Sequence, residues 1–167
     1  MRIPRRAEVD AFCGSPATLW QRALGLAAPA ILLGALVFVL CRFPALPEKV
    51  PTHFNAAGEI DGYGGRFSLL LMPLIGLVMD AGLAITARFP KSWNLGVRVT
   101  MLNRVRVYRL ARDMMAELRL AMAILFGGFG VYMSLLPEHF SGGVDFLLLL
   151  PSLAAMLRYF VRLRRKR

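Results

Sequence analysis

This 167-residue chain has only two cysteines and two histidines. Cysteine forms disulfides, and both residue types are common metal ligands. Cys13 and Cys41 do not make a disulfide framework. They flank the first apolar segment on opposite sides, so we expect no bridge between them within one chain. The sequence also lacks the H-E-x-x-H, G-x-S-x-G and phosphate-loop patterns of hydrolases and nucleotide-binding proteins. We therefore expect a protein that is not an enzyme and that uses no metal or cofactor.

Acidic residues are scarce as well, with 10 Asp and Glu against 21 Lys and Arg and a net charge of +11. In a soluble protein such an excess would suggest a nucleic-acid partner. Here the basic residues crowd the ends of apolar segments, as the cytoplasmic flanks of membrane proteins do. We therefore expect no nucleic acid, and instead the lipid bilayer, with anionic lipid at the basic flanks.

Long apolar runs are what the chain has in abundance, and 57% of its residues are hydrophobic. A bilayer core requires about 17–25 residues of helix, and four stretches approach that length: residues 23–40, 67–87, 118–136 and 144–161. The first exceeds the ~7–15 residues of a signal-peptide core, so we interpret it as a retained span. The fourth is the weakest, because its uncharged part covers only residues 146–157.

The distribution of arginine and lysine predicts the topology. Residues 1–22, 88–117 and 158–167 are rich in basic residues, whereas the loops at 41–66 and 137–143 have few or none. Basic loops stay on the cytoplasmic side. We therefore predict an all-α membrane protein with four transmembrane helices, both termini in the cytoplasm and an ordered extracytoplasmic loop at 41–66. Segment 88–117 is predicted to contain a basic cytoplasmic juxtamembrane helix, and residues 137–167 the fourth span and a basic tail.

The loop at 41–66 is the most distinctive polar stretch of the chain. Two prolines favour extended backbone over residues 46–54, which places His53 and Asn55 on one side. Glu59 and Asp61 alternate in the same way, and a turn at Gly58 would bring the two pairs together. Three interpretations remain: a hydrogen-bonded turn that these groups hold together, a surface that recognises an external partner, or a metal or catalytic site.

The same loop carries a resemblance. The pattern L-P-x-x-V-P-T-H-F-N-x-x-G-E-x-D-G-Y-G, followed by L-L-L-M-P-L-I-G-L-V, resembles the family called domain of unknown function 1648 (DUF1648). Residues 108–126 are similar to a later stretch of small members, so the resemblance covers roughly residues 43–130. It implies a bacterial inner-membrane protein. The family's motif falls on the following residues, with an arginine at the last where a lysine is common: His53, Phe54, Asn55, Gly58, Asp61, Gly62 and Arg66.

The resemblance also bears on function. The domain is found in SdpI-like immunity proteins, which implies protection against a secreted toxin in those members. We therefore expect a non-enzymatic sensor, immunity-like or accessory protein whose external loop contacts an extracytoplasmic peptide or protein. Neither the ligand nor the oligomeric state follows from the sequence.

A single charge, Asp80, interrupts the second apolar run about 10 Å from its inner end. An aspartate at a helix centre costs ~2.5–3.5 kcal/mol on insertion scales, so it should face the bundle and pair with a base. Arg88 and Arg119 are the nearest candidates. The pair is either structural or part of a proton or ion relay, and the second possibility makes a transporter or transport subunit the alternative function.

Overall fold

The apolar runs form helices in the computed structural model, which describes residues 17–100, 103–138 and 142–164. Along that part of the chain the long helices are α1 (Leu19–Arg42), α2 (Leu71–Ala87), α3 (Arg104–Ser134) and α4 (Gly142–Arg164). Short 3-10 helices occupy Phe43–Ala45, Arg66–Leu70 and Pro90–Ser92. The predicted spans at 23–40 and 144–161 therefore lie within α1 and α4, and those at 67–87 and 118–136 overlap α2 and α3.

Helix α3 is the centre of the bundle and packs against α1, α2 and α4. Small side chains let it approach α1 closely: Ala28 and Ala123 are completely buried, and a Cβ at Gly127 would lie 3.3 Å from the Cβ of Ala35. Close approach at small residues is a common way for membrane helices to associate. The small residues of α3 therefore serve contacts inside this bundle.

Helix α4 runs antiparallel to α3 along nearly its whole length. Leu148 lies against Gly128 near one end, and Arg158 donates to Glu117 at 3.0 Å further along. Beyond that point the Tyr159 hydroxyl donates to the carbonyl of Leu95 at 2.9 Å. Helices α3 and α4 thus form an antiparallel pair. The start of α3 and the end of α4 lie side by side among the basic residues.

The outer surface of the bundle is apolar. Large apolar side chains of α1, α2 and α4, such as Leu26, Val78 and Leu147, are exposed. Three stretches are long and apolar enough to cross a membrane: Leu19–Ala45, Arg66–Ala87 and Arg104–Ser134. A soluble monomer rarely exposes so much contiguous apolar surface, so the chain is a multi-pass membrane protein. The fourth span, which falls on α4, stays a prediction.

The inner segment and the third span share one helix. Residues 104–134 form a continuous helix of 31 residues, and which part of it lies outside the membrane stays a prediction. No proline or glycine occurs between Arg104 and Phe126, so nothing in the sequence breaks the helix there. Leu95, Val107, Ala111 and Tyr159 form a buried cluster at this end, so the first turns of α3 pack against protein.

The all-α prediction fails at one point, the loop before α2. Strand β1 (Lys49–Phe54) pairs antiparallel with β2 (Ile60–Gly65). The prolines that favour extended backbone and the turn at Gly58 are the local causes. The hairpin stands on a buried cluster that joins it to α1 and α3, formed by Val39, Leu46, Val50, Leu69 and Met133. We call this end of the bundle the hairpin end and the other the basic end.

Candidate functional site

The turn of the hairpin is built around Asn55. Its side-chain oxygen accepts from the backbone N–H of Ala57 at 2.9 Å and of Glu59 at 3.0 Å. Its amide nitrogen donates to the Glu59 carboxylate at 3.0 Å. Gly58 has a φ of 81°, in the left-handed region that favours glycine. Asn55, Gly58 and Glu59 therefore fix the shape of the turn, as the hydrogen-bonded interpretation predicted.

His53 and Asp61 also meet across the hairpin. His53 Nδ1 lies 2.5 Å from Asp61 Oδ1, and the imidazole N–H is the donor because a carboxylate only accepts. The side chains are 72% and 43% exposed. The strand pairing is irregular on both sides of His53, and such bulges re-aim a side chain. The turn thus brings His53 and Asn55 against Asp61 and Glu59, as the alternation predicted, and the His53–Asp61 contact is directed to solvent.

Gly62 allows this arrangement. A Cβ at that position would lie 2.8 Å from the Cβ of His53, closer than real Cβ atoms approach. The glycine therefore lets the two strands close beneath the histidine, which is a packing reason for the motif's second glycine.

Phe54 and Arg66 anchor the hairpin. Phe54 packs against the buried cluster at the hairpin base. The Arg66 guanidinium lies over the Phe43 ring, 4.7 Å from its centroid, and its backbone N–H donates to the Glu48 carbonyl at 3.0 Å. The predicted site residues thus divide into two groups: some hold the hairpin in place, and others are displayed on its surface.

An aromatic surface accompanies the displayed polar pair. Asp61 and Tyr63 alternate along β2 and share a face of the hairpin, and Tyr63 is 64% exposed. Phe67, just beyond the strand, is 68% exposed. Sequence reasoning did not single out Phe67, because it begins an apolar span and is indistinguishable there from a lipid-facing residue. We call His53, Asp61, Tyr63 and Phe67 the hairpin face.

The metal interpretation receives no support from the described residues, among which no group of three or more His, Cys, Asp or Glu side chains is placed to hold an ion. The two carboxylates of the loop have different partners, Glu59 with Asn55 and Asp61 with His53. In the described part of the chain these groups therefore form hydrogen bonds within the hairpin.

A second polar centre lies inside the bundle. Arg119 donates from Nε to Asp80 Oδ1 at 2.7 Å and from Nη2 to Oδ2 at 2.9 Å. Nη2 also donates to the Gly25 carbonyl at 3.1 Å. The side chains of Arg119 and Asp80 are only 15% and 7% exposed. Of the two predicted partners, Arg119 therefore pairs with Asp80, whereas Arg88 is an exposed residue at the end of α2.

This ion pair connects three helices, because Gly25, Asp80 and Arg119 belong to α1, α2 and α3. Both carboxylate oxygens are engaged in the bidentate geometry that arginine forms best. A Cβ at residue 25 would lie 3.1 Å from Arg119 Nη1, so the glycine makes room for the guanidinium. The arrangement is that of a structural cross-link.

Sequence reasoning missed a neighbouring contact, the donation of Gln21 Nε2 to Asp113 Oδ1 at 2.7 Å. Gln21 also takes part in a capping box with Thr18 at the start of α1. The capping pattern is a local signal, but the partner lies 92 residues away. A contact between residues so far apart in the sequence can be identified only from the packing of the two helices.

Comparison with known proteins bears on the first site. Residues 30–77 match the model of a family described as "Domain of unknown function (DUF1648)", which confirms the resemblance predicted from the H-F-N motif. The match runs from within α1 through the whole hairpin into α2. Asp80 and Arg119 lie outside it.

One relative is an uncharacterized protein of Archaeoglobus fulgidus, which is 35% identical to this chain over 68 residues. The aligned part is 41% of this chain and 33% of the relative, so the chain spans about a third of the relative's length. The relative is archaeal, and a bacterial source for this chain stays a prediction. No solved structure matches the chain.

Proposed function

We propose that the chain is a non-enzymatic sensor or accessory protein of a bacterial cytoplasmic membrane whose hairpin face binds an extracytoplasmic peptide or protein. The observation that carries the proposal is a fixed hairpin that displays polar and aromatic side chains to solvent. Its turn is held by Asn55, and its base is held by buried apolar residues. A preorganised surface loses little conformational entropy when a partner binds.

The energetics of the hairpin support a role beyond folding for the displayed pair. Exposed ion pairs contribute only about 0–1 kcal/mol to stability, and His53 and Asp61 are such a pair. Burial of Val50 and Leu46 at the base supplies much more, at about 1.5–3 kcal/mol per fully buried side chain. The hairpin therefore does not depend on His53 for its fold. Exposed tyrosine and phenylalanine beside it are residue types enriched in protein interfaces.

The proposed orientation of the chain in the membrane is based on the positions of the basic residues. At the basic end are the start of α1, the end of α2, the start of α3 and the end of α4, with most of the arginines. Because basic flanks remain in the cytoplasm, the hairpin faces the opposite side. Helix α4 has 23 residues, about 34 Å at 1.5 Å each, enough for a hydrocarbon core of about 30 Å. Four spans with both termini inside fit this arrangement.

Site-specific photo-crosslinking in intact cells tests the proposal. A photoreactive residue at Tyr63 should form a discrete protein or peptide adduct. The adduct should disappear in His53→Ala/Asp61→Ala, while membrane insertion and abundance remain unchanged. Glu138→Ala removes an exposed acid next to the end of α3 and serves as the matched control, which should retain the adduct.

Two results would count against the proposal: adducts that persist in the double variant, or adducts with lipid alone. The immunity-like form of the proposal rests on the resemblance and requires more. In that form the adduct must contain a secreted toxic peptide, and cells that express the double variant must become sensitive to it.

The transport alternative is less well supported. Both carboxylate oxygens of Asp80 accept hydrogen bonds from Arg119, and a relay would have to break this pair in every cycle. Proteoliposomes that contain the wild-type chain should show no flux dependent on Asp80. Proton-coupled flux that Asp80→Asn abolishes would restore the transport interpretation.

A further inference from the structure

A cleft of about 260 Å³ opens at the basic end of the bundle, between the start of α1, the end of α2 and the middle of α3. Its polar wall contains Arg112, Arg119 and Gln21, and its apolar wall includes Ala87 and Met115. The volume is slightly below the roughly 300–1,000 Å³ of sites for drug-sized ligands. The cleft therefore suits a small group that is charged on one side and apolar on the other.

The cleft belongs to one stripe of α3. Arg112, Met115, Ala116 and Arg119 all line it, and their spacing of three, four and seven residues places them on one helix face. The two arginines are about two turns apart, or roughly 10 Å along the axis. The helix therefore directs two guanidinium groups towards the same space.

Arginines outnumber acids around the cleft. None of the described residues that line it is acidic. Two acids are bonded to lining residues and offset part of the positive charge: Asp80 accepts from Arg119, and Asp113 accepts from Gln21. The bonds of Arg119 to Asp80 and Gly25 use Nε and Nη2, and Nη1 takes part in neither. Arg22 and Arg88 are exposed at the same end and add to the positive potential.

The position of the cleft along the membrane normal indicates what could bind in it. Gln21 is in the first turn of α1, and Ala87 is the last residue of α2. Both lie near the limits of the stretches long enough to cross a membrane. At this depth the hydrocarbon core meets the headgroup layer, where lipid phosphates lie. Basic pockets between transmembrane helices at this level bind anionic headgroups.

We infer that this cleft binds the phosphate of an anionic phospholipid from the leaflet at the basic end. Arg112 and Arg119 face the phosphate, and Met115 and Ala87 contact the glycerol and the first carbons of the acyl chains. This goes beyond a diffuse attraction of the basic flanks, because it assigns one lipid to one cleft. It is independent of the function proposed for the hairpin, which lies at the other end of the bundle.

Binding of short-chain lipids to the purified full-length chain in detergent tests the inference. Dioctanoyl phosphatidylglycerol should bind saturably and at least about tenfold more tightly than dioctanoyl phosphatidylcholine. Inorganic phosphate should bind much more weakly than the lipid. Arg112→Gln should weaken phosphatidylglycerol binding about tenfold or more, the factor expected from loss of one hydrogen bond to a charged group.

Two further variants distinguish lipid binding in the cleft from general electrostatic attraction and from loss of binding by misfolding. Arg98→Gln removes one exposed arginine of the loop before α3, outside the cleft, and should leave the affinity within about twofold. Ala87→Leu fills the cleft without a change of charge, and leucine is a good helix former, so this variant should fold and lose the lipid. Full binding by Arg112→Gln or by Ala87→Leu would overturn the inference.

The source of the phosphate is decided in the same experiment. Equal affinity for the two lipids would mean that no anionic site exists. Inorganic phosphate that binds as tightly as phosphatidylglycerol would overturn the lipid assignment in favour of a soluble phosphate. An equal loss in Arg98→Gln and Arg112→Gln would reduce the effect to general surface charge.

Discussion

Removal of Asp80 should leave the mostly buried Arg119 guanidinium with the Gly25 carbonyl as its hydrogen-bond partner among the described residues. Breaking a buried ion pair by removing one partner costs about 3–5 kcal/mol, because the remaining charge is uncompensated. The side chain of Arg119 is 15% exposed and lines the cleft at the basic end, so solvent relieves only part of that charge. We therefore expect Asp80→Ala to lower the free energy of unfolding by about 3–5 kcal/mol.

The double variant Asp80→Leu/Arg119→Met separates the cost of an unpaired charge from the value of the pair. Replacement of a buried ion pair by apolar groups of similar size is often neutral or stabilising. The double variant should therefore be more stable than Asp80→Ala. Arg158→Gln provides a control, because Arg158 is 49% exposed in its pair with Glu117 and its loss should cost only about 0–1 kcal/mol.

Thermal unfolding of the full chain in detergent, followed by the fluorescence of Trp20 and Trp93, measures these differences. For a chain of this size about 1 kcal/mol shifts the melting temperature by ~2–4 °C. Asp80→Ala should thus melt roughly 6–20 °C lower than the wild type. The reasoning is refuted if Asp80→Ala melts within about 2 °C of the wild type, or if the double variant is less stable than Asp80→Ala.

Three further predictions concern the hairpin end. Gly62→Ala should disorder the hairpin, because the new Cβ meets that of the facing histidine at 2.8 Å, whereas Gly65→Ala meets nothing within 4 Å; amide hydrogen exchange should rise only in the first variant. Asn55→Ala should destabilise the turn by about 1–2 kcal/mol, because the backbone N–H groups of Ala57 and Glu59 lose their shared acceptor. Glu59→Ala removes only the exposed side-chain contact to the Asn55 amide and should exchange nearly as slowly as the wild type. Cys41 is an exposed thiol at the hairpin end, so a membrane-impermeant maleimide should label it in intact cells and label Cys13 only after permeabilisation; the reverse pattern would invert the proposed topology.

The hairpin shows how far local sequence information reaches. Prolines, the glycine at the turn and the alternation of side chains predicted that His53 and Asn55 would meet Asp61 and Glu59, and the structure brings both pairs together. Those features act over a few residues and require no knowledge of the rest of the fold. The strand pairing itself was missed, because the segment is rich in glycine and proline, two residue types that are depleted in strands. The functional roles of these residues stay predictions.

The bundle shows where local information ends. Apolar length predicted the helices, and the structure joins the inner segment and the third span in the single helix α3. The position at which α3 enters the membrane stays a prediction, because helical structure continues through charged and apolar residues alike. The partner of Asp80 was narrowed to Arg88 and Arg119, but the choice between them depends on how α2 and α3 are rotated about their axes. Arg119 lies 39 residues after Asp80 in the sequence and pairs with it because its side of α3 faces α2 at the level of Asp80.

The sequence by itself determined that the chain is a membrane protein with a polar, turn-forming loop, because hydropathy and backbone preferences are properties of short stretches. Only the tertiary structure decided which groups share a site. The cross-link of Gly25, Asp80 and Arg119 and the cleft beside it draw on three helices. Contacts of this kind depend on the rotation and close approach of helices at their small residues, a geometry that no single segment specifies.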